Sequence, residues 1–178
     1  MKTYLIADTH FNVDKIETYC QRPDNYTDLL TREWRNAVHD EDVVIHLGDV
    51  AIGTYAPWVK TLLRSLPGRK ILVRGNHDRK HSTSWWQNNG FDFSCDGMIY
   101  QDSWLTHEPY ESPNNLPIHT KRNIHGHLHN IWTGFGRIPK WWPRRQRLFA
   151  VEYTGYRPVE IQKFISHPKK YRAIPDEF

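Results

Sequence analysis

The stretch KILVRGNHD, residues 70–78, runs the apolar Ile71-Leu72-Val73 directly into an amide, an imidazole and a carboxylate at Asn76, His77 and Asp78. A short β-branched run closed by a glycine turn reads as a buried strand. Three polar side chains at the exit of a buried strand need partners, and these come from elsewhere in the chain. Tyr4-Leu5-Ile6-Ala7 runs into Asp8-Thr9-His10, and Val43-Val44-Ile45-His46-Leu47 runs into Gly48-Asp49. Later, Trp104-Leu105-Thr106 is followed by His107, and Asn123-Ile124-His125 by Gly126-His127-Leu128-His129. Five apolar segments thus hand over to Asp, Asn or His, most often beside a glycine.

Helical periodicity separates the first three of these strands. Leu29, Leu30, Trp34, Ala37 and Val38 recur at helical spacing over Tyr26–Val38, with Thr27 or Asp28 as the cap. Trp58, Leu62, Leu63 and Leu66 form a second stripe closed by Pro67-Gly68. Strand, helix, strand, helix, strand predicts a layered α/β fold, in which ligands sit where loops diverge at the carboxyl ends of the strands. In the second half, Met98-Ile99-Tyr100 and Trp104-Leu105-Thr106 read as a hairpin, Leu148–Tyr153 as a strand, and residues 131–147 as a long loop. The segment Pro158–Ile165 reads as a short helix or an edge strand. Trp34, Trp58, Trp85 and Trp86 are read as core or core-edge residues.

Composition sets the class. The chain has 178 residues, 38% hydrophobic and 25% charged, with 8 Trp and a net charge of +4. That is enough apolar surface for one domain over residues 1–178 and excludes a disordered chain. The mild positive charge suits an anionic substrate without demanding nucleic acid. Two widely spaced cysteines, Cys20 and Cys95, argue against a disulfide scaffold and for a reducing cytoplasm. No apolar run approaches the roughly 20 residues of a membrane helix.

Seven residues at the strand exits are candidate metal ligands: Asp8, His10, Asp49, Asn76, His107, His127 and His129. Asp8 and His10, two apart on a segment read as extended, share one side, and His127 and His129 repeat the spacing. An oxygen and nitrogen set without Cys suits Mn²⁺, Fe, Zn²⁺ or Mg²⁺. Seven ligands are too many for one ion and right for two, which one carboxylate can bridge.

The five blocks resemble the calcineurin-like metallophosphoesterases, whose pattern runs D-x-H, G-D, G-N-H-D/E, H, G-H-x-H. All five are present in order over residues 8–129, about two-thirds of the chain. The resemblance implies an α/β/β/α sandwich of two mixed sheets flanked by helices. It also implies two divalent ions, Mn²⁺ first, with Fe, Zn²⁺, Ni²⁺ and Mg²⁺ as alternatives. Asp8, His10 and His129 would hold one ion, Asn76, His107 and His127 the other, and Asp49 would bridge them. His77 would be the catalytic imidazole, meeting the substrate phosphate together with Asn76.

Two departures narrow the family. Phosphoprotein phosphatases extend the second block to G-D-x-x-D-R-G, whereas this chain reads Gly48-Asp49-Val50-Ala51-Ile52-Gly53. The acidic partner that orients the catalytic histidine in those enzymes is missing here, and the sequence does not name its replacement. Nor do 178 residues hold the capping domain of the DNA-repair nucleases. The chain looks like the small bacterial and phage branch, where a stretch like Tyr19-Cys20-Gln21-Arg22-Pro23 follows the first block. Arg22 is then expected at the substrate phosphate, since guanidinium meets phosphate bidentately.

The implied substrate is a small phosphorylated molecule, with a phosphodiester such as a cyclic or small nucleotide ahead of a monoester. A nuclease acting on short nucleic-acid ends is the alternative, with Trp141-Trp142-Pro143-Arg144-Arg145-Gln146-Arg147 as its contact. A non-catalytic scaffold is a third reading, disfavoured because every metal and catalytic position is intact. Asp78 is read as a local turn or helix cap. His46 and His125 are read as structural, and His39, His81, His119 and His167 as surface residues.

Overall fold

The computed structural model describes residues 1–52, 57–110, 116–130 and 145–171. Among the described residues, nine strands form two sheets flanked by helices. The first sheet contains β1 (Thr3–Ile6), β2 (Val43–His46), β3 (Arg69–Val73), β4 (Phe93–Cys95) and β9 (Val159–Glu160), in the order β4-β3-β2-β1-β9. Its central strands are parallel and β9 closes the edge antiparallel to β1. The second sheet runs β5 (Met98–Tyr100), β6 (Ser103–Leu105), β7 (Arg122–His125) and β8 (Gln146–Leu148). There β5 and β6 make the antiparallel hairpin, and β6, β7 and β8 are parallel. Both sheets are mixed, as the family resemblance implies.

Strands covered on both faces must be apolar throughout, and Leu5, Ile6, Val44, Ile45, Leu72 and Val73 are all buried. Helix α2 (Tyr26–Ala37) adds Tyr26, Leu30 and Trp34, and α3 (Pro57–Ser65) adds Val59 and Leu63. Register aligns the strand ends. Ile6 pairs with His46 and His46 with Leu72, so Asp8, Asp49 and Asn76 leave the sheet at one edge. In the second sheet Leu105 pairs with Ile124, which sets the exits at His107 and His127 level.

The pairing continues past the strands. Asp8 N donates to Gly48 O at 2.9 Å, His10 N to Asp49 O at 3.1 Å and Phe11 N to Val50 O at 2.9 Å. Thr9 Oγ1 donates to Val50 O and contacts His46 Nε2, both at 3.0 Å, while His46 Nδ1 accepts from Gly48 N at 3.1 Å. Both nitrogens of the buried His46 are therefore engaged, and burial drives its pKa down to about 3. His125 is likewise a buried neutral imidazole, its Nδ1 2.9 Å from Gly126 O. Both histidines are structural, as expected.

Several expectations need correction. Asp78 does more than cap locally. Its buried carboxylate accepts from Gly75 N at 2.8 Å, and across loops from Asp49 N at 2.7 Å and Val50 N at 3.2 Å. It fastens the second polar block to the third. Leu148–Tyr153 is not one strand: β8 ends at Leu148, and α5 (Val151–Thr154) begins three residues later. The C-terminal segment is both strand and helix, β9 passing straight into α6 (Ile161–Ser166). Trp58 is 43% exposed and belongs to no core. His81 is half-buried and stacks on Trp85 at 3.7 Å. Asn25, one residue before α2, stands at its N-cap position without a side-chain capping bond, and Thr27 and Asp28 lie inside the helix. Helices α1 (Asp14–Cys20) and α4 (Thr83–Gln87) and strand β4 are additions to the sequence reading. The Trp141–Arg144 part of the tract considered for nucleic acid lies outside the described residues.

Replacing Asp78 with Asn would set an amide nitrogen against a backbone N–H that now has an acceptor. Leaving a buried donor unpaired costs about 1–3 kcal/mol, so Asp78→Asn is expected to lower unfolding stability by about that much in urea titrations.

Candidate metal centre

Seven exit side chains converge from both sheets, and the backbone is bent to bring them there. Asp8 (φ 50°), His10 (φ 44°), Asp49 (φ 55°), His127 (φ 70°) and His129 (φ 48°) all adopt left-handed conformations. Non-glycine residues rarely do so, and such strain concentrates at functional sites. This corrects the extended geometry expected for Asp8 and His10: they share a site because both are left-handed. The glycines of the blocks make room. A Cβ on Gly75 would stand 2.6 Å from Asp49 N and overlap the Asp49 carboxylate. One on Gly126 would stand 2.9 Å from Ala7 Cβ and overlap the Asp8 carboxylate.

Two ligand groups result. In the first, His10 Nε2 lies 3.3 Å from His129 Nε2, and Asp8 Oδ1 lies 4.0 and 3.8 Å from those nitrogens. In the second, His107 Nε2 lies 3.1 Å from both Asn76 Oδ1 and His127 Nδ1. Asp49 Oδ2 joins them, 3.7 Å from His10 Nε2 and 3.4 Å from His107 Nε2. Metal bonds of ~2.1 Å place neighbouring ligand atoms about 3.0–3.4 Å apart. The imidazole contacts match those edges, so the donor set fits two cations.

Electrostatics agree. Burial raises the Asp8 carboxyl to about 6, against the opposing pull of His129 and His107. Burial also pushes Asp49 up, but His107 and His10 outweigh it and hold that carboxyl well below the usual range. Burial lowers His107 and His129, yet His107 reaches about 9 through Asp49 and Asp8, and His129 about 10 through Asp8, Cys20 and Glu152. Burial keeps His10 and His127 below the ordinary imidazole value. The pocket demands positive charge, which protons or metal ions satisfy in competition.

Ligating atoms are aimed by a surrounding layer. His107 Nδ1 donates to Leu47 O at 2.8 Å, which turns Nε2 into the site. Glu152 Oε1 lies 3.5 Å from His129 Nδ1 and does the same for that ring. Glu152 was missed from the sequence; its one signal is a carboxylate inside the apolar run Phe149–Tyr153. Arg22 needs a correction. Gln21, left-handed at the end of α1, turns the chain so that the Arg22 guanidinium is fully buried beneath the site. It donates to Asp8 O at 2.8 Å and Thr9 O at 3.0 Å, and pairs with Glu152 Oε1 at 2.7 Å. Its donors are committed to the protein, so it does not face a substrate phosphate.

His77 stands apart. Its ring is 39% exposed in an open cleft of about 290 Å³, with Nε2 3.8 Å from Asp49 Oδ2. Its backbone N–H donates to Asp49 Oδ1 at 3.1 Å, and its ring meets that of His10 edge-on at 5.9 Å.

Arg22→Ala removes the buried guanidinium that pairs with Glu152 and is expected to destabilise the fold by about 3–5 kcal/mol in urea titrations. Glu152→Gln is expected to weaken metal binding roughly 10- to 100-fold in chelator competition. The same titration should show tighter binding at pH 8 than at pH 6, because His107 and His129 must release protons to ligate.

The calcineurin-like phosphoesterase model matches residues 1–176. An uncharacterized protein of Methanocaldococcus jannaschii, MJ1445, is 33% identical over 98% of this chain and 97% of its own length. The gene 66 protein of Mycobacterium phage D29 is 44% identical over 29% of this chain and 27% of its own length. A protein of unknown function from Aquifex aeolicus, AQ665, shares the fold, with a TM-score of 0.73 at 24% identity over 93% of this chain and 98% of that one. With its five blocks gathered into two joined ligand groups, the chain belongs to the calcineurin-like phosphoesterases, a family of dinuclear-metal-dependent hydrolases.

Proposed function

We propose that the protein hydrolyses a small phosphodiester, such as a cyclic or linear nucleotide, and that Mn²⁺ is its preferred metal. The observation that carries this reading is Asp49 Oδ2, set between His10 and His107 so that one carboxylate serves two ligand groups. Asp8, His10 and His129 would hold one ion and Asn76, His107 and His127 the other, with Asp49 shared between the two groups. When bound, such a pair supplies a hydroxide nucleophile at neutral pH and positive charge for the phosphate oxygens.

The chain's own groups do the rest. His77 faces the cleft with no hydrogen bond to its ring among the described residues, which leaves its Nε2 free to meet a phosphoryl oxygen or give a proton to the leaving alkoxide. Its backbone donation to Asp49 Oδ1 ties the catalytic loop to the bridging carboxylate. Asn76 places its amide oxygen at the second ligand group, and its amide nitrogen is a donor for substrate. A diester is favoured over a monoester because Arg22 is turned away: a dianionic monoester draws an arginine fork, and no arginine is among the described residues lining this cleft. The free thiols Cys20 and Cys95 support a reducing compartment, and we place the protein in the cytoplasm. No described helix is long and apolar enough to cross a membrane.

The test is metal counting with turnover of bis-p-nitrophenyl and p-nitrophenyl phosphate, after chelation and re-addition of Mn²⁺, Mg²⁺, Zn²⁺ or Ni²⁺. Two ions per chain and metal-dependent diester turnover, greatest with Mn²⁺, are expected. His77→Ala should keep both ions and lose roughly 10²- to 10⁴-fold in kcat, whereas Asp49→Asn should lose both ions and activity. Two bound ions without turnover on any ester would overturn the reading in favour of a scaffold.

A further inference from the structure

The cleft is lined by two unlike sets of residues. One is the imidazoles with Asp49 and Asn76; the other is Val13, Lys15, Tyr19, Ile52 and Leu128. Tyr19 is 61% exposed and Ile52 40%, so large apolar surfaces face water directly beside a polar catalytic floor. Isolated exposed hydrophobics are ordinary, but grouped at a cleft mouth they mark a surface that a ligand covers. Helix α1 is sorted accordingly. Lys15 and Tyr19 are four residues apart, on one helical face, and both line the cleft, while the acidic Asp14 and Glu17 of the same helix do not.

A flat ring and an ammonium side by side suit a ligand that is planar and anionic. Resting on the phosphoesterase reading, we infer that Tyr19 and Lys15 are the specificity-determining residues of the cleft. They select phosphate esters carrying a nucleoside, with the base against Tyr19 and Ile52 and the phosphate within the field of Lys15. An aliphatic ester arm gains little from the ring face, whereas every base stacks on an aromatic side chain. A cleft of about 290 Å³ is of a size for one such group beside a phosphate.

The experiment is direct calorimetric titration of Mn²⁺-treated protein with adenosine 5′-monophosphate and ribose 5-phosphate, which differ only in the base. The nucleotide is expected to bind roughly 5- to 150-fold more tightly, the range that one stacked base contributes. Tyr19→Ala should bring that ratio close to one. Lys15→Gln should weaken both ligands alike and leave the ratio standing. Tyr19 is exposed, so its truncation leaves the fold intact. Equal binding of the two ligands by the unaltered protein, or a ratio that survives Tyr19→Ala, would overturn the inference. Because binding is read without turnover, the outcome is separate from that of the esterase assay. Absent turnover with a Tyr19-dependent ratio would sink the hydrolase reading alone, and normal turnover with a ratio of one would sink the nucleoside wall alone.

Discussion

Three carboxylates, those of Asp8, Asp49 and Glu152, lie buried where the exits of two sheets meet, and much of the molecule is arranged around that negative charge. Buried anions are tolerable only when paired or ligating. Arg22 meets Glu152 from below, the imidazoles of His10, His77, His107 and His129 meet Asp8 and Asp49 from around, and backbone N–H groups of His77 and His127 complete their hydrogen bonding. The same charge that makes the centre costly without cations makes it a strong site for two of them. Stability and chemistry therefore depend on one electrostatic condition.

Holding that charge in place requires loops that do not drift. The left-handed residues at Asp8, His10, Asp49, His127 and His129 are each unfavourable alone. They persist because their surroundings leave no alternative. Asp78 fastens two loops, Asp8 accepts from His127 N, Tyr26 donates to the His10 carbonyl, and Arg22 holds the carbonyls of Asp8 and Thr9. Glycine stands before Asp49, Asn76 and His127 because those loops approach one another too closely for a Cβ. The G-D, G-N-H-D and G-H-x-H blocks thus record packing as much as ligation.

Much of this was legible in the chain. The three apolar runs of the first sheet, the two long helices between them and the hairpin of the second sheet follow from periodicity. Each has enough residues for its pattern to rise above chance. The residues of the seven-ligand set are legible because their chemistry is concentrated at strand ends. What escaped was short or non-local. Helix α1 carries too few apolar residues for a helical stripe, and strand β4 has three residues. Helix α5 lies in a run as β-like as any strand, yet it is a single helical turn ended by Gly155 in the left-handed conformation.

The sequence by itself determined the α/β order, the seven side chains at the strand exits and the family to which they belong, since these depend on residue type and spacing. Only the tertiary structure decided which side of the site each polar group serves. Arg22 reads as a phosphate ligand until Gln21 turns it beneath the centre, where Glu152, 130 residues on, neutralises it. Asp78 reads as a cap until the neighbouring loop arrives to receive its carboxylate. Lys15 and Tyr19 come to the cleft only because α1 is laid along it. A side chain's role follows from what meets it in space, and contacts between residues far apart in the chain exist only once both sheets have closed around them.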